Sequence, residues 1–170
     1  MKSTLLLLII SLAAIISARA QTVTLYGYVQ KVVPGNTGAR ELSEDGSQKK
    51  VTTEAGQDYF LYLASPAKSR IYLMEGWLKG ERVGLRPKVI ATPVTLSSSL
   101  PADEPAELVP KKQGTVWQLT TEAATASTKA SHRGKVLSAA NDVVVVYRMN
   151  GKIGYAMLKS LKELSASYRQ

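Results

Sequence analysis

This 170-residue sequence predicts an all-β fold, a single antiparallel β-sandwich of about seven to eight strands. Three observations carry the prediction. Short stretches rich in β-branched and aromatic residues recur along the chain, Gly, Pro and Asn punctuate them at short intervals, and strands do not alternate with helices. A small β-barrel, or one sheet backed by a short C-terminal helix, meets the same observations.

The first 20 residues read as an export signal. Lys2 gives a positive start, Leu5 to Ser17 forms an apolar run of 13 residues, and Ala18-Arg19-Ala20 supplies the small-x-small pattern before Gln21. The run is shorter than the ~20 residues that span a bilayer, and no later stretch is a second candidate. The expected location is exported, periplasmic or secreted, with no transmembrane span after cleavage. The chain has no cysteine, which excludes disulfides, thiolate metal sites, a thiol nucleophile and a lipid carried on cysteine. This fits a bacterial envelope protein. Residues 21–170 are enough for one β-rich domain whose core holds by packing alone.

Charge is uneven. Lys2 and Arg19 lie in the signal, leaving 20 of the 22 basic side chains against all 13 acidic ones. From Gln21 to Pro110 there are ten of each, and from Lys111 to Gln170 ten basic against three acidic. The excess in the last third suits attraction to a polyanion such as lipopolysaccharide or anionic lipid, or simply a solvated basic surface. Nucleic acid is not an expected partner of an exported chain.

In chain order, Thr22 to Val33 reads as a strand with Gly27 as a bulge or close approach, ended by Pro34-Gly35-Asn36. Residues 39–57 are polar and read as a loop or a weak edge hairpin. Asp58 to Lys79 holds dense apolar and aromatic content and reads as a core hairpin around Ser65-Pro66. Its first strand is apolar on both faces, as in a covered sheet. In its second, Ile71, Leu73 and Trp77 share a face with Glu75, and a carboxylate buried there without a partner is costly. A bulge at Gly76, or a salt bridge to Arg70 or Lys79, resolves the conflict.

Lys79-Gly80 reads as a tight turn and Glu81 to Leu85 as a short returning strand. Pro93 makes Lys88 to Leu96 an edge strand, and 97–112 reads as an exposed Pro-rich connection. Gly114 to Thr121 is a further strand, and 122–134 a linker or marginal helix. Asp142 to Met157 is a hairpin turning at Asn150-Gly151, residues that accept the positive φ of a type I′ turn. Its valine strand is also two-faced, so it is expected to pack with the Asp58–Lys79 hairpin. Leu158, Leu161 and Leu164 suggest a short closing helix, with a final strand as the alternative.

Catalytic signals are sparse. His132 is the only histidine, so a site of two or three histidine ligands cannot form within one chain. It lies in Ala130-Ser131-His132-Arg133-Gly134, which reads as an exposed loop unsuited to a positioned base. Ser65-Pro66-Ala67-Lys68 matches the Ser-x-x-Lys of penicillin-binding proteins, but it sits in a turn and the companion motifs are absent. The acidic pairs Glu44-Asp45 and Asp103-Glu104 lie in polar loops, where carboxylates face water. No cofactor, metal or catalytic residue is expected. Glu75, Trp77, Tyr72 and Tyr62 are the candidate binding residues: a carboxylate in an apolar context, with aromatics able to stack on a sugar or grip a partner.

Gly27-Tyr28-Val29, Thr53 to Leu63 with Gly56 and Tyr59-Phe60-Leu61, and Ile71-Tyr72-Leu73 together resemble carboxypeptidase-regulatory-like domains, the transthyretin-like β-sandwiches of exported bacterial proteins. The resemblance covers about residues 22–80, lacks the Pro-Leu-x-Gly-Ala segment after the first strand, and implies a non-catalytic sandwich. The expected function is a non-enzymatic exported β-domain that binds a protein or glycan at the bacterial cell envelope. The alternatives are polyanion association through the basic last third and an enzyme of unrecognised type.

Overall fold

The structure, a computed structural model, describes residues 23–34, 40–42, 48–50, 56–67, 69–96, 105–124 and 130–169. Among these residues twelve strands run as β1 Thr24–Pro34, β2 Arg40–Leu42, β3 Gln48–Lys50, β4 Gly56–Ser65, β5 Ile71–Leu78, β6 Glu81–Ile90, β7 Val94–Leu96, β8 Ala106–Val109, β9 Thr115–Ala123, β10 Val143–Met149, β11 Lys152–Leu158 and β12 Lys162–Arg169. Among the described residues one helix, α1, spans His132–Ser138. The all-β class holds. Eight strands form one curled sheet in the order β11-β10-β5-β6-β9-β4-β1-β12, while β2-β3 and β7-β8 are separate two-stranded ribbons. Every pairing is antiparallel except β1 with β12, which is parallel.

Alternation along the strands gives the sheet two apolar faces. Leu25, Leu61, Leu63, Leu119, Val143, Val145 and Ala156 form one buried cluster drawn from β1, β4, β9, β10 and β11. A cluster shared by strands so far apart in the order lies on the concave face, enclosed by the curl. The curl brings the end of β11 onto β1, where a Cβ on Gly27 would meet Leu158 Cδ1 at 2.6 Å and Leu161 Cδ2 at 2.8 Å. Gly27 is therefore the close approach that its sequence position suggests.

The convex face is covered in two places. Over β1, β4 and β9 the β7-β8 ribbon packs Leu108 and Val109 on Tyr28, Tyr62, Ala64 and Val116. Over β5 and β10, α1 packs Leu137 beside Trp77, Val144 and Val146. This explains the two-faced strands: β4 and β10 are covered on both sides.

Several sequence expectations change. β4 and β5 are not a hairpin, because β9 and β6 lie between them in the sheet. β4 instead pairs with β1 and β9, and β5 with β10 and β6. The expected packing with the Asp142–Met157 hairpin occurs within the sheet, through β5 and β10. The 97–112 stretch is not wholly an exposed connection, since Ala106–Val109 is a strand with Leu108 and Val109 buried. No closing helix forms at Leu158, Leu161 and Leu164. The first two cover Gly27 around a turn, and Leu164 lies on β12 against the convex cluster. The helix comes earlier, at His132–Ser138, and β6 runs past Leu85 to Ile90. The Asn150-Gly151 and Lys79-Gly80 turns form as expected, all four residues at positive φ.

Tyr28 fastens the β7-β8 ribbon by donating its hydroxyl to the Leu108 carbonyl at 2.5 Å. Burial, reinforced by Tyr26 and Glu107, pushes its phenol pKa above the ordinary value. The folded state therefore holds this proton more tightly than the unfolded chain. The resulting stability is complete below the unfolded phenol pKa near 10 and is lost as pH rises from there through the folded value. Thermal midpoints should fall above about pH 10, and Tyr28→Phe should flatten the fall. Tyr62 and Tyr147, also raised by burial, leave a residual slope in that variant. An unchanged alkaline slope in Tyr28→Phe would contradict the assignment.

Candidate binding site

The structure separates the four candidate residues, and a bulge does most of the separating. Val146 pairs with Glu75 and the next β10 residue, Tyr147, pairs with Leu73, so Met74 is the extra residue on β5. Before the bulge, Ile71 and Leu73 face the concave core, and after it Leu78 does. Glu75 and Trp77 thereby move to the convex face, beneath α1. The bulge falls at Met74 rather than at Gly76. Gly76 has a different role, because a Cβ there would lie 2.5 Å from Leu85 Cγ.

Glu75 is buried, and it is partnered. Its Oε1 accepts from the Ser131 backbone N–H at 2.8 Å, and its Oε2 accepts from the Ser131 hydroxyl at 2.5 Å. The Ser131 hydroxyl oxygen accepts in turn from the Gly134 N–H at 3.1 Å. In a capping box an N-cap serine bonds the N3 amide while an N3 carboxylate returns to the N-cap amide. Here Ser131 is the N-cap and N3 is Gly134, so β5 supplies the carboxylate from 56 residues away. Gly134 suits the arrangement because a Cβ would lie 2.7 Å from Glu75 Oε2 and 2.8 Å from Trp77 Nε1. Arg82 Nε completes the cluster 3.5 Å from Glu75 Oε1, in place of the salt bridge to Arg70 or Lys79 that the sequence suggests.

Of the candidates, Trp77 is buried under α1, with its Nε1 lacking a hydrogen-bond partner, and Tyr62 is buried under the β7-β8 ribbon. Neither presents a surface. Tyr72 alone is open, at 64% exposure. It borders a second consequence of the bulge. β5 and β6 pair only through Gly76–Leu78 and Glu81–Val83, although β5 starts at Ile71 and β6 continues to Ile90. Beyond Val83 the two strands part. The seam opens into a cavity of about 250 Å³ lined by Ile71, Tyr72, Leu73, Leu85, Pro87 and Trp117. A smaller hollow of about 120 Å³ continues along it past Met74, Glu75 and Arg82 to Gly84. A proline has no N–H for a ladder, which suits Pro87 to the parted stretch.

The seam was not among the sequence candidates. Pro87 inside a strand and the Glu75 phase conflict were its available signals, and the partners Arg82, Ser131 and Trp117 carried none. Elsewhere, a shallow hollow of about 550 Å³ beside Lys79, Ser138–Asp142 and Lys159 is lined by small and charged residues. Ser65 is buried in β4 and donates to the Pro66 carbonyl, while His132 is exposed at the first turn of α1. Glu44-Asp45 and Asp103-Glu104 lie outside the described residues. Among the described residues no cluster of three or more His, Asp or Glu side chains is placed to hold a metal ion, and no helix is long and apolar enough to cross a membrane. No family model matches the chain, and neither a curated protein nor a solved structure matches it.

Proposed function

We propose that this protein is a non-enzymatic exported β-domain that binds a protein or glycan at the bacterial cell envelope. The observation carrying the reading is the β5–β6 seam. It joins an exposed aromatic, Tyr72, to an apolar cavity that reaches the concave core, the combination expected of a recognition site. The one buried carboxylate among the described residues, Glu75, is engaged in capping α1. The signal-like first 20 residues support export. Capture from native envelope by the wild-type protein and by Tyr72→Ala tests the reading. A bound species retained by the first and lost with the second is expected; equal retention by both would move the site elsewhere.

The basic last third supports a second reading, association with lipopolysaccharide or anionic lipid. Arg148 and Lys152 flank one end of the seven-residue β11, and Lys159 and Lys162 the other, roughly 20 Å apart at the usual strand rise. That exceeds the screening length at physiological salt, so binding to anionic vesicles should be weak there and gone by about 0.5 M. Binding that survives such salt would show a built lipid site.

A further inference from the structure

The geometry points to an extended acidic peptide segment of a partner protein as the occupant of the seam, seated as an added strand between β5 and β6. This inference rests on the binding reading above and names its ligand. Ile71 to Leu73 pair with β10 on one side only, Met74 bulges out of that register, and Gly84 to Ile90 pair with β9 on one side only. The parted stretch thus presents two strand edges facing one another, and free backbone N–H and C=O groups are matched by another extended backbone. A sugar or an acyl chain does not meet that requirement. Side chains alternate along an added strand, so every second residue would point into the Leu73–Leu85–Trp117 cavity, which is apolar.

Charge selects the peptide further. Arg70, Lys88 and Arg148 are exposed around the opening, with Arg148 directly beside Tyr72 in the register. None of residues 71–74, 84–90 and 147–149 is acidic. The nearby acids are already engaged, Glu75 by Ser131 and Arg82 and Glu122 by Arg86 at 2.8 Å. A segment alternating apolar with acidic residues therefore fits both faces of the seam.

The test pans a displayed library of random linear peptides of roughly ten residues, long enough for an average strand, against the purified protein. Enriched peptides should alternate apolar and acidic residues. A synthetic copy of one should slow hydrogen exchange at those amides of Ile71–Met74 that do not bond to β10. Lys88→Glu with Arg148→Glu, both on exposed side chains, should weaken binding about tenfold or more. Tyr72→Ala should also weaken it without loss of fold. Enriched peptides that are basic or neutral, or protection away from the seam, overturn the inference while leaving a binding domain. A sulfated dextran that competes by charge alone, without amide protection, replaces the peptide with a polyanion. No enrichment at all removes both the inference and the protein-binding reading it rests on.

Discussion

Replacing Glu75 with alanine is expected to destabilise the fold by about 3 kcal/mol, because it breaks a buried ion pair and removes the acceptor of two hydrogen bonds from Ser131. Arg82 loses its carboxylate, and the Ser131 N–H loses its acceptor. α1 has seven residues, no acid in its first turn and basic Arg133 and Lys135 within it, so it has little helical stability of its own. Without its anchor the helix should lift from Trp77, Val144 and Val146. The thermal midpoint should fall by about 6–12 °C for a domain of this size, and Trp77 emission should shift to the red. Glu75→Gln keeps the shape and one acceptor, and should cost about 1–2 kcal/mol. An alanine variant within 1 kcal/mol or so of the wild type would mean that the carboxylate does not hold the helix.

Leu108→Ala is expected to cost about 3 kcal/mol, within the range for removing a buried leucine side chain. Leu108 is 1% exposed although its strand has four residues. The ribbon it belongs to shields Tyr28, Tyr62 and Val116, so the loss combines a cavity with looser cover over the convex face. In urea the midpoint should drop with the slope unchanged if the sheet still unfolds as one unit. Glu107→Ala, one residue earlier and exposed, should stay within about 0.5 kcal/mol. Equal effects at the two positions would show that the ribbon is not packed as described.

What could be read from the residues divides along the range of the interactions. Local rules sufficed for the Asn150-Gly151 and Lys79-Gly80 turns and for the two-faced valine strand, since turn geometry and alternation depend on neighbours. They failed where partners lie far apart. Nothing near Ser65-Pro66 says that β9 and β6 will separate β4 from β5. Pro101, Pro105 and Pro110 mark 97–112 as a connection, and the burial of Leu108 appears only when the sheet behind it exists. At the site, the conflict between Glu75 and its apolar neighbours was visible as a clash of phase. Its resolution needed the bulge at Met74 and a serine 56 residues later. Of the four nominated residues, Tyr72 is accessible, while the others hold the scaffold.

The parallel pairing of β1 with β12 has a consequence for assembly. The bond from Gln30 Nε2 to the Ser165 carbonyl spans 135 residues, almost the whole length of the described chain. Contacts between such distant segments form slowly, because closing so long a loop costs entropy before any pairing offsets it. Until the last strand arrives, β1 offers an unpaired rim carrying Tyr28, Val29 and Val33. The C-terminal strand therefore acts as a stopper as well as a staple. A chain halted before it should associate with other copies through that rim, so the segment that completes the monomer also guards it against aggregation.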